Sequence, residues 1–143
     1  MSGQDSRRAC AVAAASFVAM LVTVGVAFSY GAFVEPLRAD LGAGQGAAAG
    51  VFSVTSACFF GLGAVSGPAA DRWGPRPVLL VGAAAFAGGL LLTAAAPALW
   101  VVYLGHGLGV GCAAACSFVP LVAAVSGWFT RYRTIAVGVA VSG

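Results

Sequence analysis

Seven Arg, four acids and one His are the charged or readily titratable side chains of this 143-residue chain, which has no Lys. Their placement rules out most chemistry. Asp5, Glu35, Asp40 and Asp71 all lie at the ends of apolar stretches, so no acid falls in the middle of one. No nucleophile sits beside a base in a catalytic arrangement. Cys10, Cys58, Cys112 and Cys116 fall in apolar stretches without zinc spacing or a nearby His. Cys112 and Cys116 share a helix face, and their plainest reading is as small buried hydrophobes. The Gly105–Gly111 run reads as a helix-packing strip, not a phosphate loop. The Arg residues form short clusters between apolar stretches, with neither a basic face nor interleaved aromatics, so nucleic acid is not an expected partner. The expectation is a protein that is not an enzyme and needs no metal or cofactor.

Charge and turn chemistry concentrate in one place: Gly67-Pro-Ala-Ala-Asp71-Arg72-Trp73-Gly74-Pro-Arg76. Gly67 and Asp71 are four apart and share a face of one helical turn. Gly67 admits a neighbouring helix, and Gly63 extends the same smooth strip. Asp71 falls at a helix C-terminal end, where the helix dipole disfavours an anion. It therefore calls for a partner, either an Arg or the N-terminus of another helix. Gly74 allows a tight reversal, and Arg72 and Arg76 hold the loop at one face. An ordinary positively charged inner loop would explain the Arg residues but not the acid and glycines at these spacings.

The elements that hold this motif are apolar spans. The composition is 61% hydrophobic and 8% charged, against about a quarter charged in a soluble domain. A chain of this kind takes lipid as its solvent. The 32 Ala and 21 Gly let helices approach closely in a bilayer. Residues 9–34 are free of charge, long enough to cross a hydrocarbon core of about 30 Å with tilt. Ser6-Arg7-Arg8 hints at a twin-Arg signal, but the apolar region is too long for a signal peptide and lacks a convincing cleavage site. Glu35 to Gly44 is expected to form a polar, Gly-rich turn. A second span covers 47–70. Asp71 to Arg76 is expected as a loop, with Pro77 in the first turn of a third span over 78–96. The 54 residues from Pro77 to Thr130 carry no charge. As one helix they would reach about 81 Å, far beyond one bilayer, so Pro97 divides them and a fourth span covers 99–127. Residues 134–143 begin a fifth. Residues 1–8 form a tail, and 9–143 form part of a helical bundle.

The Arg residues orient these spans. Arg7, Arg8, Arg72, Arg76, Arg131 and Arg133 fall on one side, and only Arg38 on the other. The positive-inside bias predicts a cytoplasmic N-terminus in a multi-pass protein of the cell membrane.

The Gly67–Arg76 run, between spans two and three, resembles the signature at the same place in the major facilitator superfamily. The resemblance implies that Asp71 is the acid of a conformational latch that contacts a helix of the opposite half. Arg72 and Arg76 would support it, with Gly67 and Gly74 as packing and turn residues. Trp128-Phe-Thr-Arg-Tyr-Arg133 and the residues through Gly143 are similar to the span-five signature of monocarboxylate porters. Phe129, Ala136, Gly138, Ala140 and Gly143 match it, and Arg131 and Arg133 keep its charge pattern. Tyr132 replaces one basic position. Ser29-Tyr-Gly-Ala-Phe33, followed by Pro36-Leu and Asp40-Leu-Gly, is similar to the end of span one in that group and in its oxalate/formate relatives. Three departures stand out. The aromatic, Asp-Gly-Gly-Trp-type opening of animal monocarboxylate porters is absent. Their span-one lysine would fall near Phe28, and the span-four arginine of proton-coupled drug exporters near Gly105.

The implied fold is an all-α integral membrane protein: the N-terminal part of a major facilitator bundle, with four transmembrane helices and the start of a fifth. The implied function is secondary transport by alternating access of a small solute, closest to a monocarboxylate. The missing C-terminal half would supply the opposing bundle. The fold implies a central cavity lined by spans one and four, with Phe28, Ser29, Ser117 and Phe118 as candidate substrate-facing residues, although ordinary helix packing would also explain each. His106 is the one intramembrane ionisable residue of span four and a candidate proton-sensitive group. Its plainer reading is an interfacial residue that meets water, or a packing residue. Rival readings are a major facilitator exporter of another small molecule, a small four-span exporter working as a dimer, and a truncated product that does not transport. The four-span exporter lacks the span-one acid it would need.

Overall fold

A computed structural model describes residues 7–128 and 133–142, nearly all of them helical. Helix α1 runs Arg7–Leu41, α2 Gln45–Trp73 and α3 Pro75–Ala94. A short α4 (Leu99–Val102) passes into a π-helical segment (Tyr103–Val110) and then α5 (Gly111–Trp128). These last three form one continuous rod, whose apolar span is Leu99–Gly127. Helix α6 covers Arg133–Val141. Among the described residues, four stretches are long and apolar enough to cross a membrane. Large apolar side chains such as Phe60, Leu80 and Leu91 lie outward and exposed, as expected of helices that meet lipid.

Two expected boundaries differ. The Glu35–Gly44 turn is mostly helix, because α1 continues through Pro36 to Leu41. An interior Pro removes one backbone hydrogen bond, yet membrane helices tolerate this when neighbours re-satisfy the freed group. Arg38 Nη1 donates to Glu35 Oε2 at 2.8 Å across a single turn, which favours helix here. The reversal needs only residues 42–44, where Gly42 takes a left-handed φ of 61°. The expected 71–76 loop is likewise a one-residue elbow. Helix α2 reaches Trp73, Gly74 alone breaks the backbone at φ 86°, and Pro75 opens α3 within its first turn. At that position its missing N–H costs little, and Pro77 is already inside the helix.

The fourth span is the centre of the bundle, with α1, α2 and α3 packed around it and α6 against α1 and α5. Small residues set this arrangement. A Cβ on Gly89 would come within 2.5 Å of the Gly105 carbonyl oxygen, and one on Gly109 within 2.7 Å of Gly89 Cα. At this crossing α3 and the π-helical segment meet backbone to backbone, the close approach that substitutes for water exclusion in lipid. Val51, Val102, Val110 and Val125 are fully buried and fill the space between the helices.

Candidate functional site

The elbow comes first. Asp71, Arg72, Trp73 and Arg76 are exposed at the end of α2 and the start of α3. Among the described residues the only ion pair is Arg38–Glu35, so neither Asp71 nor Arg76 forms one there. The Arg72 guanidinium stacks over the Trp73 ring at 5.9 Å. Beneath the elbow α2 lies close to α5. A Cβ on Gly67 would meet Val119 Cγ1 at 3.2 Å. One residue earlier, Ser66 Oγ donates to the Ala115 carbonyl at 2.8 Å, so a hydrogen bond between helices secures the strip that carries Asp71.

Similar hydroxyl links recur higher in the bundle. Tyr30 Oη donates to the Ala48 carbonyl at 2.9 Å, and Tyr103 Oη donates to the Ala47 carbonyl at 2.6 Å. Together they fasten α1 and the π-helical segment to the start of α2. Thr55 Oγ1 lies 3.1 Å from the Val51 carbonyl and 3.4 Å from that of His106. Sequence reasoning missed these residues. The available signal was a hydroxyl inside an apolar span, where it must find a backbone carbonyl.

His106 is buried among the helices and does not face water. It is 5% exposed. Its ring lies against Tyr30, with centroids 4.6 Å apart and planes at 34°. Nε2 has no partner among the described residues. The residue sits within the π-helical segment, a widened turn that displaces side chains from α-helical positions and recurs at functional sites. His106 and Ser29 both line a cleft of about 670 Å³, with Tyr30, Phe33, Asp40 and Thr93. This is within the size range of small-molecule sites.

The other candidates are dispersed. Phe28 leans on Phe52 at 5.7 Å and lines a separate cleft of about 110 Å³ with Phe59 and Phe60. Phe118 meets Phe59 edge-on at 5.6 Å. Ser117 faces α3, its Oγ 3.6 Å from where a Gly82 Cβ would stand. The four candidates thus lie in at least three places, with Ser29 alone on the cleft that His106 lines. Phe129 and Arg131 of the span-five signature fall outside the described residues. Arg133 opens α6, Gly138 is exposed on it, and Ala136 packs on Val125.

The model of the Major Facilitator Superfamily matches residues 15–143. The chain is 34% identical over 140 residues to the MFS-type transporter pynF of Aspergillus niger, covering 96% of this chain and 32% of that protein. It is 33% identical over 129 residues to monocarboxylate transporter 3 of Rattus norvegicus, covering 87% of this chain and 26% of the relative. Monocarboxylate transporter 11 of Mus musculus is 33% identical over 132 residues, covering 92% and 30%. The chain thus spans about a third or less of the length of the curated relatives it matches. No solved structure matches it. The four apolar spans, the Gly67–Arg76 elbow and a family match over nearly the whole chain agree: this multi-pass membrane protein belongs to the major facilitator superfamily.

Proposed function

We propose that this chain is the N-terminal part of a secondary active transporter that moves a small organic anion, of the monocarboxylate class, by alternating access. The supporting observation is the match to proteins named monocarboxylate transporters over most of this chain, together with the residues of the 128–143 signature. A second six-helix bundle, supplied by the rest of a longer protein, rocks against this one about a midplane site. Asp71 acts as the latch acid toward that bundle, with Arg72, Gly74, Arg76 and Gly67 supporting it. The N-terminus is cytoplasmic and the protein resides in the cell membrane. A reporter fused after Gly42 is expected to read as external and one after Trp73 as cytoplasmic; the opposite pattern would overturn this orientation.

His106 is the proton-sensitive candidate within this reading. Its burial, its unpartnered Nε2 and its place on the cleft beside Ser29 all support the role. The Tyr30 ring of α1 lies against it, the Thr55 hydroxyl of α2 lies near its carbonyl, and Asp40 of α1 lines the same cleft. From α3 the cleft receives Thr93. His106→Gln retains a hydrogen-bonding side chain but does not titrate. In the longer protein it is expected to flatten the dependence of uptake on pH between about 5 and 8. An unchanged pH profile would remove His106 from any coupling role.

Uptake of labelled short-chain carboxylates into vesicles tests the transport reading itself. Saturable uptake, with competition between carboxylates, is expected. Saturable movement of other solutes but not carboxylates would replace the substrate class and keep the transporter.

A further inference from the structure

The cysteines hold a feature that the transport reading does not use. Cys112 and Cys116 are one turn apart on α5, and their sulfurs stand 4.0 Å apart in direct S–H···S contact. Both are half-buried and reduced. Both line a cleft of about 240 Å³ between α2 and α3, walled by apolar groups that include Val65, Trp73, Val78 and Val81. Helix α3 comes close on one side, since a Cβ on Gly82 would stand 2.9 Å from Cys116 Cβ. The cleft therefore presents two adjacent thiols among apolar walls.

The separation selects a ligand chemistry. Two bonds of about 2.3 Å from sulfur to one soft centre span at most about 4.6 Å, so one centre reaches both sulfurs with small side-chain movement. No group of three or more His, Cys, Asp or Glu side chains able to hold a metal exists among the described residues. A tetrahedral zinc site is therefore not built here. A centre satisfied by two sulfurs fits better, and soft centres are the ones thiols select. An apolar approach favours a lipophilic carrier over a hydrated ion.

We propose that Cys112 and Cys116 form a dithiol site for trivalent organoarsenicals of the aryl arsenoxide type, loaded through the apolar cleft. The reaction is a condensation. Two arsenic–sulfur bonds form, the arsenic–oxygen double bond breaks, and its oxygen leaves as water with the two thiol protons. Arsenic stays trivalent, so no oxidant or reductant takes part. The bridge ties together two successive turns of α5 beside Gly82 and stiffens the central rod against α3.

Phenylarsine oxide and intact-mass spectrometry of the chain in lipid vesicles test this. One adduct per chain is expected. It should survive excess 2-mercaptoethanol and be stripped by 2,3-dimercaptopropanol. Cys112→Ser and Cys116→Ser should each lower retention against the monothiol by about 10²-fold or more, the advantage of two tethered ligands over one. Cys10→Ser and Cys58→Ser should leave retention unchanged. Cys112→Ala and Cys116→Ala, with helicity checked by circular dichroism, separate a lost site from a misfolded chain. Equal retention in the folded Cys112 or Cys116 variants overturns the proposal, as does loss of the adduct in Cys58→Ser.

Discussion

Replacing Gly89 by Ala is expected to destabilise the bundle, while the same change at Gly88, next to it in the chain, is expected to stabilise it slightly. Both glycines lie inside α3. By helix propensity alone either change should help by about 0.5–1 kcal/mol. The two differ only in what a Cβ would meet. At Gly88 nothing lies within 4 Å, whereas at Gly89 the Gly105 carbonyl oxygen is 2.5 Å away and Gly109 Cα 3.0 Å. Those atoms are backbone and cannot swing aside, so α3 and the central rod must separate. Overpacking of this kind costs about 1–3 kcal/mol, and more when backbone must shift. Separation would also weaken the packing on which association in lipid depends. Val at position 89 should be worse than Ala, and Val at 88 close to neutral. Unfolding in mixed detergent, followed by circular dichroism, reads the difference. Equal stability of the Gly88 and Gly89 variants would refute the close crossing of α3 and the π-helical segment.

The second large effect is expected at Asp71 in the longer protein. Asp71→Asn keeps the shape and removes the charge. If Asp71 latches this bundle to its partner, the loss of a hydrogen bond to a charged group removes about 1.5–3 kcal/mol from the latched state. The balance between states then shifts by about 10- to 100-fold, and uptake falls by a comparable factor at unchanged protein level. Asp71→Glu should recover part of the activity, since the charge returns on a longer stem. Asp71 is exposed in this chain and makes no ion pair among the described residues, so the substitution should leave the stability of these helices within about 0.5 kcal/mol. A loss of stability equal to the loss of uptake would mean a structural role instead.

The sequence makes some of this legible and conceals the rest, for physical reasons. The all-α membrane fold follows from long charge-free runs, because lipid leaves little choice except helices. The elbow's residues stand out because charge is rare here. The end of α1 reads as a turn in the sequence because Glu35, Pro36 and Asp40 look like turn chemistry. Their local pairing, through Glu35 and Arg38, supports helix instead. The π-helical segment leaves no periodic signal, since Gly105, Gly107 and Gly109 carry no side chains to show a phase. The burial of His106 depends on Tyr30 of a different helix. The links from Tyr30, Ser66 and Tyr103 end on backbone carbonyls of neighbouring helices. Such acceptors exist at every residue, so the sequence does not single one out. The candidate cavity residues scattered because helical position alone does not fix which face of span four meets α2 or α3.

The central proposal is that this chain is the N-terminal part of a carboxylate transporter. The most direct measurement is uptake of labelled short-chain carboxylates into proteoliposomes, with the longer protein and the 143-residue chain reconstituted side by side. The prediction is saturable, mutually competitive uptake by the longer protein and none by this chain alone, whose described residues hold four long apolar spans and the short helix α6. Uptake by the 143-residue chain, or no saturable carboxylate uptake by the longer protein, would contradict it.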